Sequence, residues 1–140
     1  MFQELSIAYI NEITRLTCFL NPSLSFETLL ARQKEMFEFS NYQCFGWFEK
    51  EILIGVASGW ITMRLYSGRQ LEIDNVIFNP DFQSKGLGAL FIVQIENWAS
   101  SKSCETVELN TYVNNSRSHK FYFRHKYEIL GFHFQKRISK

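Results

Sequence analysis

Hydrophobic positions along the chain first recur at helical spacing and then give way to strand-like runs. Leu5, Tyr9, Ile13, Leu16 and Leu20 fall three or four residues apart and predict a helix over residues 5–20. Asn21-Pro22 stops it, because proline has no N–H to donate and biases the preceding residue away from helical backbone. Ser25 caps a second predicted helix, with Glu27 in its first turn where a carboxylate suits the helix dipole. Phe26, Leu30 and Phe37 mark the inward face of that helix. Residues 42–49 are aromatic-rich and read as a strand, and Glu49-Lys50-Glu51 reads as a polar hairpin turn. A mostly apolar strand over 52–61 follows, in which Gly55 and Gly59 signal a bulge or a close neighbour. Tyr66 to Arg69 forms the next turn, and a third strand over 70–78 is ended by Asn79-Pro80.

Helical spacing returns with Leu87, Leu90, Phe91, Ile95 and Trp98. Residues 106–112 alternate as a strand, Asn114-Asn115-Ser116 caps a last helix through Arg124, and an aromatic strand with Phe132 and Phe134 closes the chain. This order predicts one α/β domain over residues 1–140, with a mixed, largely antiparallel central sheet flanked by helices.

Composition narrows the function classes. The 46% apolar and 21% charged residues are ordinary for a globular domain, and the 16% aromatic share supplies both core bulk and pocket walls. With 15 Lys plus Arg against 14 Asp plus Glu, the net charge of +1 gives no global attraction to nucleic acid or membrane, so neither is expected as a partner. Apolar runs such as Phe91-Ile92-Val93 fall far short of the roughly 20 residues of a membrane span. Glu4, Asn11, Glu12 and Arg15 break the N-terminal apolar pattern, which is unlike a secretory signal. Cys18, Cys44 and Cys104 have neither metal-ligand nor disulfide spacing, so the reading is reduced thiols in a cytoplasm and no metal.

The chemistry lies in the stretch Val76-Ile77-Phe78-Asn79-Pro80-Asp81-Phe82-Gln83-Ser84-Lys85-Gly86-Leu87-Gly88, where a strand runs through a turn with two glycines into a helix. Glycine lets the backbone approach an anion, and the free N–H groups of a helix start, at the positive end of its dipole, bind phosphate oxygens. Lys85 adds a mobile cation beside them. A glycine turn that merely joins strand to helix gives the same pattern. The nucleotide-triphosphate loop is absent, and the dinucleotide fingerprint needs three glycines near a first strand.

Gln83-Ser84-Lys85-Gly86-Leu87-Gly88 resembles the Gln/Arg-x-x-Gly-x-Gly/Ala motif of the GNAT superfamily of N-acetyltransferases. Asn115, Ser118, Phe121 and Tyr122 resemble that family's Asn-x-x-Ala-x-x-Phe-Tyr pattern, with Ser in the Ala place. Both motifs stand in the family's order, separated by a helix and a strand, and the likeness runs from Ile52 to the C-terminus. It implies acetyl-CoA as co-substrate. The strand residues Val76, Ile77 and Phe78 and the loop Gln83 to Gly88 would hold it, with Asn115, Ser118 and Phe121 along its pantetheine arm. Two departures stand out. Lys126-Tyr127 replaces the family's Gly-Phe or Gly-Tyr, and the usual first strand is nearly missing because the first predicted helix starts so early.

The implied reaction is attack of an amine on a thioester, which needs a proton acceptor for the amine and a donor for the departing thiolate. Tyr122 matches the family's sulfur-protonating tyrosine; by itself it is also an amphipathic core aromatic. Glu72 and Asp74 are candidate bases, sharing one strand face with Val76 and Phe78 if no bulge intervenes. His119 and His125, with Arg117, Lys120, Arg124 and Lys126, form a basic stretch that suits either a phosphate or a solvated helix face. Phe37, Phe39, Tyr42, Phe45 and Trp47 either offer aromatic walls for an amine acceptor, a small molecule or a peptide, or belong to the core; a polycationic aminoglycoside would want more acid than these stretches hold. A coenzyme-A-binding regulatory or interaction module without catalysis is the competing function, and a homodimer is compatible with either.

Overall fold

The computed structural model describes residues 1–83 and 85–139. They form two compact units, Met1–Leu109 and Asn110 onward. The first unit carries a sheet of five strands in the order β1 (Phe2–Leu5), β2 (Tyr42–Glu49), β3 (Ile52–Arg64), β4 (Gly68–Phe78) and β5 (Thr106–Leu109). The first four pair antiparallel and β5 runs parallel to β4, which is the mixed, largely antiparallel sheet the sequence pattern predicts. Helices α1 (Ile10–Thr17) and α2 (Phe26–Glu38) precede β2, and α3 (Leu87–Ser101) connects β4 to β5.

Local chemistry explains most boundaries. Ser25 caps α2 as predicted, its side chain accepting from the Thr28 N–H. Lys50 and Glu51, with φ of 48° and 66°, form a two-residue hairpin turn whose left-handed residues match the twist of β2 and β3. Two predictions need correction here. The first strand expected to be nearly missing is present over Phe2–Leu5, and the predicted helix does not begin at Leu5: Leu5 pairs with Cys44 and is buried, and a short 3-10 turn over Ile7–Tyr9 leads into α1. The buried positions of α2 are Leu29 and Gln33, one turn apart, so its inward face is rotated from the predicted Phe26–Leu30 line, while the predicted Phe37 does pack against the core.

The sheet separates two apolar layers. On one face Leu5, Ile13, Leu16, Tyr42, Cys44 and Val56 pack together beneath α1 and α2. Gln33 donates to the Tyr42 hydroxyl at 2.6 Å inside this layer, and burial pushes the Cys44 thiol up to about 12, so it stays a thiol. On the other face Phe45, Phe78 and Phe91 cluster with Trp98 of α3, ring centroids 4.8–5.5 Å apart in edge-to-face contacts. A Cβ built on Gly55 would lie 2.5 Å from the Phe78 ring, which identifies the close neighbour that the glycine accommodates.

The second unit contains α4 (Ser116–Arg124). Among its described residues no closing strand forms, contrary to the alternation predicted around Phe132 and Phe134, which are 86% and 91% exposed. Alternation records only which way side chains face; a strand also needs a partner for its backbone groups.

Candidate functional site

β4 breaks its regular ladder where the candidate chemistry lies. Ser58 pairs with Asp74 and Val56 with Ile77, so Ala57 alone faces both Asn75 and Val76. This is a β-bulge, and Asn75 takes the left-handed conformation with φ 52°. Such a bulge leaves an extra residue outside the ladder and re-aims the backbone. On the other edge, pairing with β5 ends at Ile73 and Leu109. Residues 74–78 are therefore paired to β3 only, within this unit, and present an open strand edge.

The bulge also decides which faces the candidate residues share. Glu72 lies opposite Trp60, and Asp74 opposite Ser58 and Cys44, so both carboxylates stand on the α1/α2 face. Beyond the bulge the alternation inverts: Ile77 joins the α1/α2 layer and Phe78 packs against Phe91 on the α3 face. The expected common face of Glu72, Asp74, Val76 and Phe78 is thus not formed. One inserted residue moves every following side chain to the other face.

The two carboxylates differ in surroundings. Glu72 lies 3.9 Å from the Arg64 guanidinium in a half-exposed pair. The Asp74 carboxyl is raised above its ordinary value by burial, against which hydrogen bonds from the Asn75 backbone and the Trp60 side chain stabilise the charged form. The residue as a whole remains exposed, so the carboxyl sits in a recess that is open on one side. Asp74 therefore combines access with a proton affinity shifted toward neutrality, as a base requires. Ser58, whose hydroxyl donates to the Asp74 carbonyl at 3.2 Å, pins the bulge and escaped the sequence reading because the contact spans two strands.

Past Phe78 the chain is folded by its own polar groups. Asn79 accepts from the Asp81 N–H at 3.0 Å and starts a 3-10 turn over Pro80–Phe82. The Gln83 amide donates to the Phe78 carbonyl at 3.0 Å, so this motif residue ties the loop to the strand end. The Lys85 ammonium lies 5.3 Å from the Phe82 ring centre. Gly86 caps α3 with φ 74°, and a Cβ there would meet no atom within 4 Å. Conformation, not space, favours glycine at this position. The first helical bond runs from the Leu90 N–H to the Gly86 carbonyl, placing the N–H groups of Leu87 and Gly88 ahead of it, and no acidic residue lies in the first turn. Ser84 lies outside the described residues.

In the second unit the Asn115 side chain caps α4, accepting from the Ser118 N–H at 3.2 Å. Phe121 stands edge-on to Tyr122 at 5.1 Å and is tilted on His125 at 4.5 Å. Burial raises the Tyr122 phenol to about 12, so it remains a proton donor across the neutral range. The helix ends in a Schellman motif, with the Tyr127 N–H on the Tyr122 carbonyl and the Lys126 N–H on that of Phe123. Lys126 holds the left-handed position, φ 69°, where glycine is most usual.

Among the described residues no group of His, Cys, Asp or Glu could hold a metal, and no helix is long and apolar enough to cross a membrane. The expected aromatic wall is split: Phe37 and Tyr42 touch on the α1/α2 face, whereas Phe45 lies in the α3 layer with Trp47 against Phe91. A cavity of about 160 Å3 opens on the α1/α2 face and includes Asn75 of the bulge. A larger hollow of about 390 Å3 near Met1 and Phe48 contains none of the candidate residues.

The profile of the acetyltransferase (GNAT) family matches residues 10–127. No curated protein matches the chain by sequence. Solved structures share the fold at low identity. An aminoglycoside N-acetyltransferase, AAC(6')-Iy, solved in complex with CoA, has a TM-score of 0.86 at 17% identity, over 99% of this chain and 95% of that one. The aminoglycoside 6'-N-acetyltransferase AAC(6')-IG from Acinetobacter haemolyticus has a TM-score of 0.80 at 16% identity, over 99% of both chains. A transcriptional regulator from Bacillus halodurans has 0.78 at 16% identity, over 96% of this chain and 99% of that one.

Proposed function

Because the chain belongs to the acetyltransferase (GNAT) family, we propose that it transfers the acetyl group of acetyl-CoA to a primary amine of a small molecule or peptide, by direct attack of the amine on the thioester. One observation carries this reading: the bulged, one-sided segment 74–78 leads through a short turn into the left-handed Gly86 and the exposed N–H groups of α3. The arrangement fits a long ligand with a phosphate end and an amide-bearing arm. The start of α3, with no acidic residue and open space above Gly86, suits the diphosphate, and Lys85 adds charge there. The open edge of β4 offers N–H and C=O groups to amides in the manner of an added strand.

When bound, acetyl-CoA supplies the activated acyl carbon. Asp74 accepts the proton that the attacking amine must lose, directly or through a water, and its raised proton affinity suits that task. The Tyr122 phenol gives a proton to the departing sulfur, and Phe121 fixes the ring. Val76 and Ile77 act through their backbone, Asn115 and Ser118 by shaping the start of α4, and Glu72 steadies the strand through Arg64. The three free cysteines take no part and suit a reducing cytoplasm.

A thiol-release assay with acetyl-CoA over small amines, amino acids and peptides tests the proposal. Amine-dependent release is expected. Tight coenzyme binding with no release across the panel would instead favour a coenzyme-A-binding module.

A further inference from the structure

The cavity on the α1/α2 face carries an assignment of its own. Three apolar side chains form part of its wall, and Thr17, Asn21, Arg32, Gln33 and Asn75 supply the polar groups. Four of these five have partners inside the protein. The Thr17 hydroxyl donates to the Thr14 carbonyl at 3.0 Å, and the Asn21 amide to the Thr17 carbonyl at 3.0 Å. Gln33 donates to Tyr42 at 2.6 Å, and Asn75 to the Asp74 carboxylate at 3.1 Å. Arg32 is different: among the described residues its guanidinium donates no hydrogen bond and joins no salt bridge. No carboxylate lines the cavity. A guanidinium is always charged and presents a planar fork of donors that matches a carboxylate in two-point fashion.

The cavity's position gives that charge a use. Asn75 borders it and is bonded to Asp74, so the Arg32 pocket adjoins the carboxyl assigned above to the acceptor amine. Its 160 Å3 is well below the roughly 300–1,000 Å3 of pockets that enclose drug-sized ligands. It admits one end of an acceptor rather than the whole of a large one. A polycationic acceptor would meet like charge at Arg32 with no acid in the wall to offset it.

The geometry points to an acceptor that is an amino carboxylate, an amino acid or a short peptide, with its carboxylate on the Arg32 guanidinium and its amine at Asp74. This rests on the acetyltransferase reading for the amine end, while the carboxylate end can be measured without turnover. Arg32 is exposed on a helix, and alanine is a good helix former, so Arg32→Ala keeps the fold.

The test has two arms. In the first, kcat/KM is compared for amino acids and their carboxamides in wild type, Arg32→Ala and Arg32→Lys. Wild type should prefer the carboxylate about tenfold or more, as for a charge-assisted pair, mainly through KM. The alanine variant should bring the ratio near one, and lysine should restore part of it. In the second arm, binding of N-acetyl amino acids and their amides is measured by calorimetry with no acetyl-CoA present. Carboxylate-selective binding lost in Arg32→Ala supports the assignment even if thiol release fails throughout, in which case only the acetyltransferase reading falls. Equal binding of acid and amide in wild type, or an unchanged preference in Arg32→Ala, overturns it.

Discussion

The start of α3 can be tested by setting stability against binding at Gly86. Its φ of 74° is left-handed, and a Cβ there would meet nothing within 4 Å. Gly86→Ala should therefore cost only the conformational penalty of an L-residue in that region, about 1–2 kcal/mol. For a domain of this size that is a fall of about 3–7 °C in Tm. Gly86→Asp should cost less, because aspartate tolerates the left-handed region and a carboxylate at a helix N-terminus returns about 0.3–1 kcal/mol. Binding should move the opposite way. A carboxylate roughly 5 Å from a diphosphate, at an effective dielectric of 20, meets about 3 kcal/mol of repulsion per unit charge. Affinity for acetyl-CoA should then drop on the order of a hundredfold in Gly86→Asp and much less in Gly86→Ala. Differential scanning fluorimetry and calorimetric titration of both variants read the two quantities. If Gly86→Asp binds as well as Gly86→Ala, or loses affinity only as it loses stability, the start of α3 is a structural turn and not an anion site.

Other consequences can be measured with the same protein. Tyr122→Phe should lower kcat by about a hundredfold, within the range for a general acid, with acetyl-CoA affinity unchanged; equal losses in binding would show a packing role instead. Because the Asp74 carboxyl is raised by burial, kcat/KM should climb with pH along a limb centred above the ordinary carboxylate value, and Asp74→Asn should abolish that limb. The sign for stability is opposite: a raised folded-state pKa contributes stability below the unfolded value and loses it as pH rises through the folded one, so Asp74→Asn should melt no lower than wild type at pH 7. Lys126→Gly should stabilise by about 1 kcal/mol by relieving a non-glycine left-handed residue, read as a shift in the denaturant midpoint. Gly55→Ala should destabilise by about 1–3 kcal/mol, since its Cβ would lie 2.5 Å from the Phe78 ring.

What was legible in the sequence was local. The two glycines, the strand before them and the helical spacing after them located the loop and α3, because capping and helix periodicity depend on neighbours within a few residues. The Ser25 cap and the Lys50-Glu51 turn were readable for the same reason. The β4 bulge was not, since it exists only in the register between β3 and β4, and it moved Phe78 away from the face of Asp74. β1 was hidden because its last residue, Leu5, opens a helical spacing and the four residues become a strand only by pairing with β2. The wall formed by Phe45 and Trp47 was misplaced in the same way: strand alternation says that faces differ, and only the helices packed on each face say which is which. Arg32 gave no signal, being one charge on an amphipathic helix until the fold brought Asn75 beside it. The replacement of glycine by Lys126 looked like a departure from the family, yet Lys126 adopts the left-handed conformation that glycine favours.

The most direct test of acetyl transfer follows the acetyl group itself. Acetyl-CoA labelled in the acetyl group is incubated with the protein and the amino-carboxylate panel, and the products are resolved by mass spectrometry. The label is predicted on the acceptor nitrogen, in amounts equal to the free thiol released and sharply reduced in Gly86→Asp at acetyl-CoA concentrations that do not saturate the variant. Label that stays on the coenzyme, or that emerges only as free acetate at the rate seen without protein, would contradict an N-acetyltransferase.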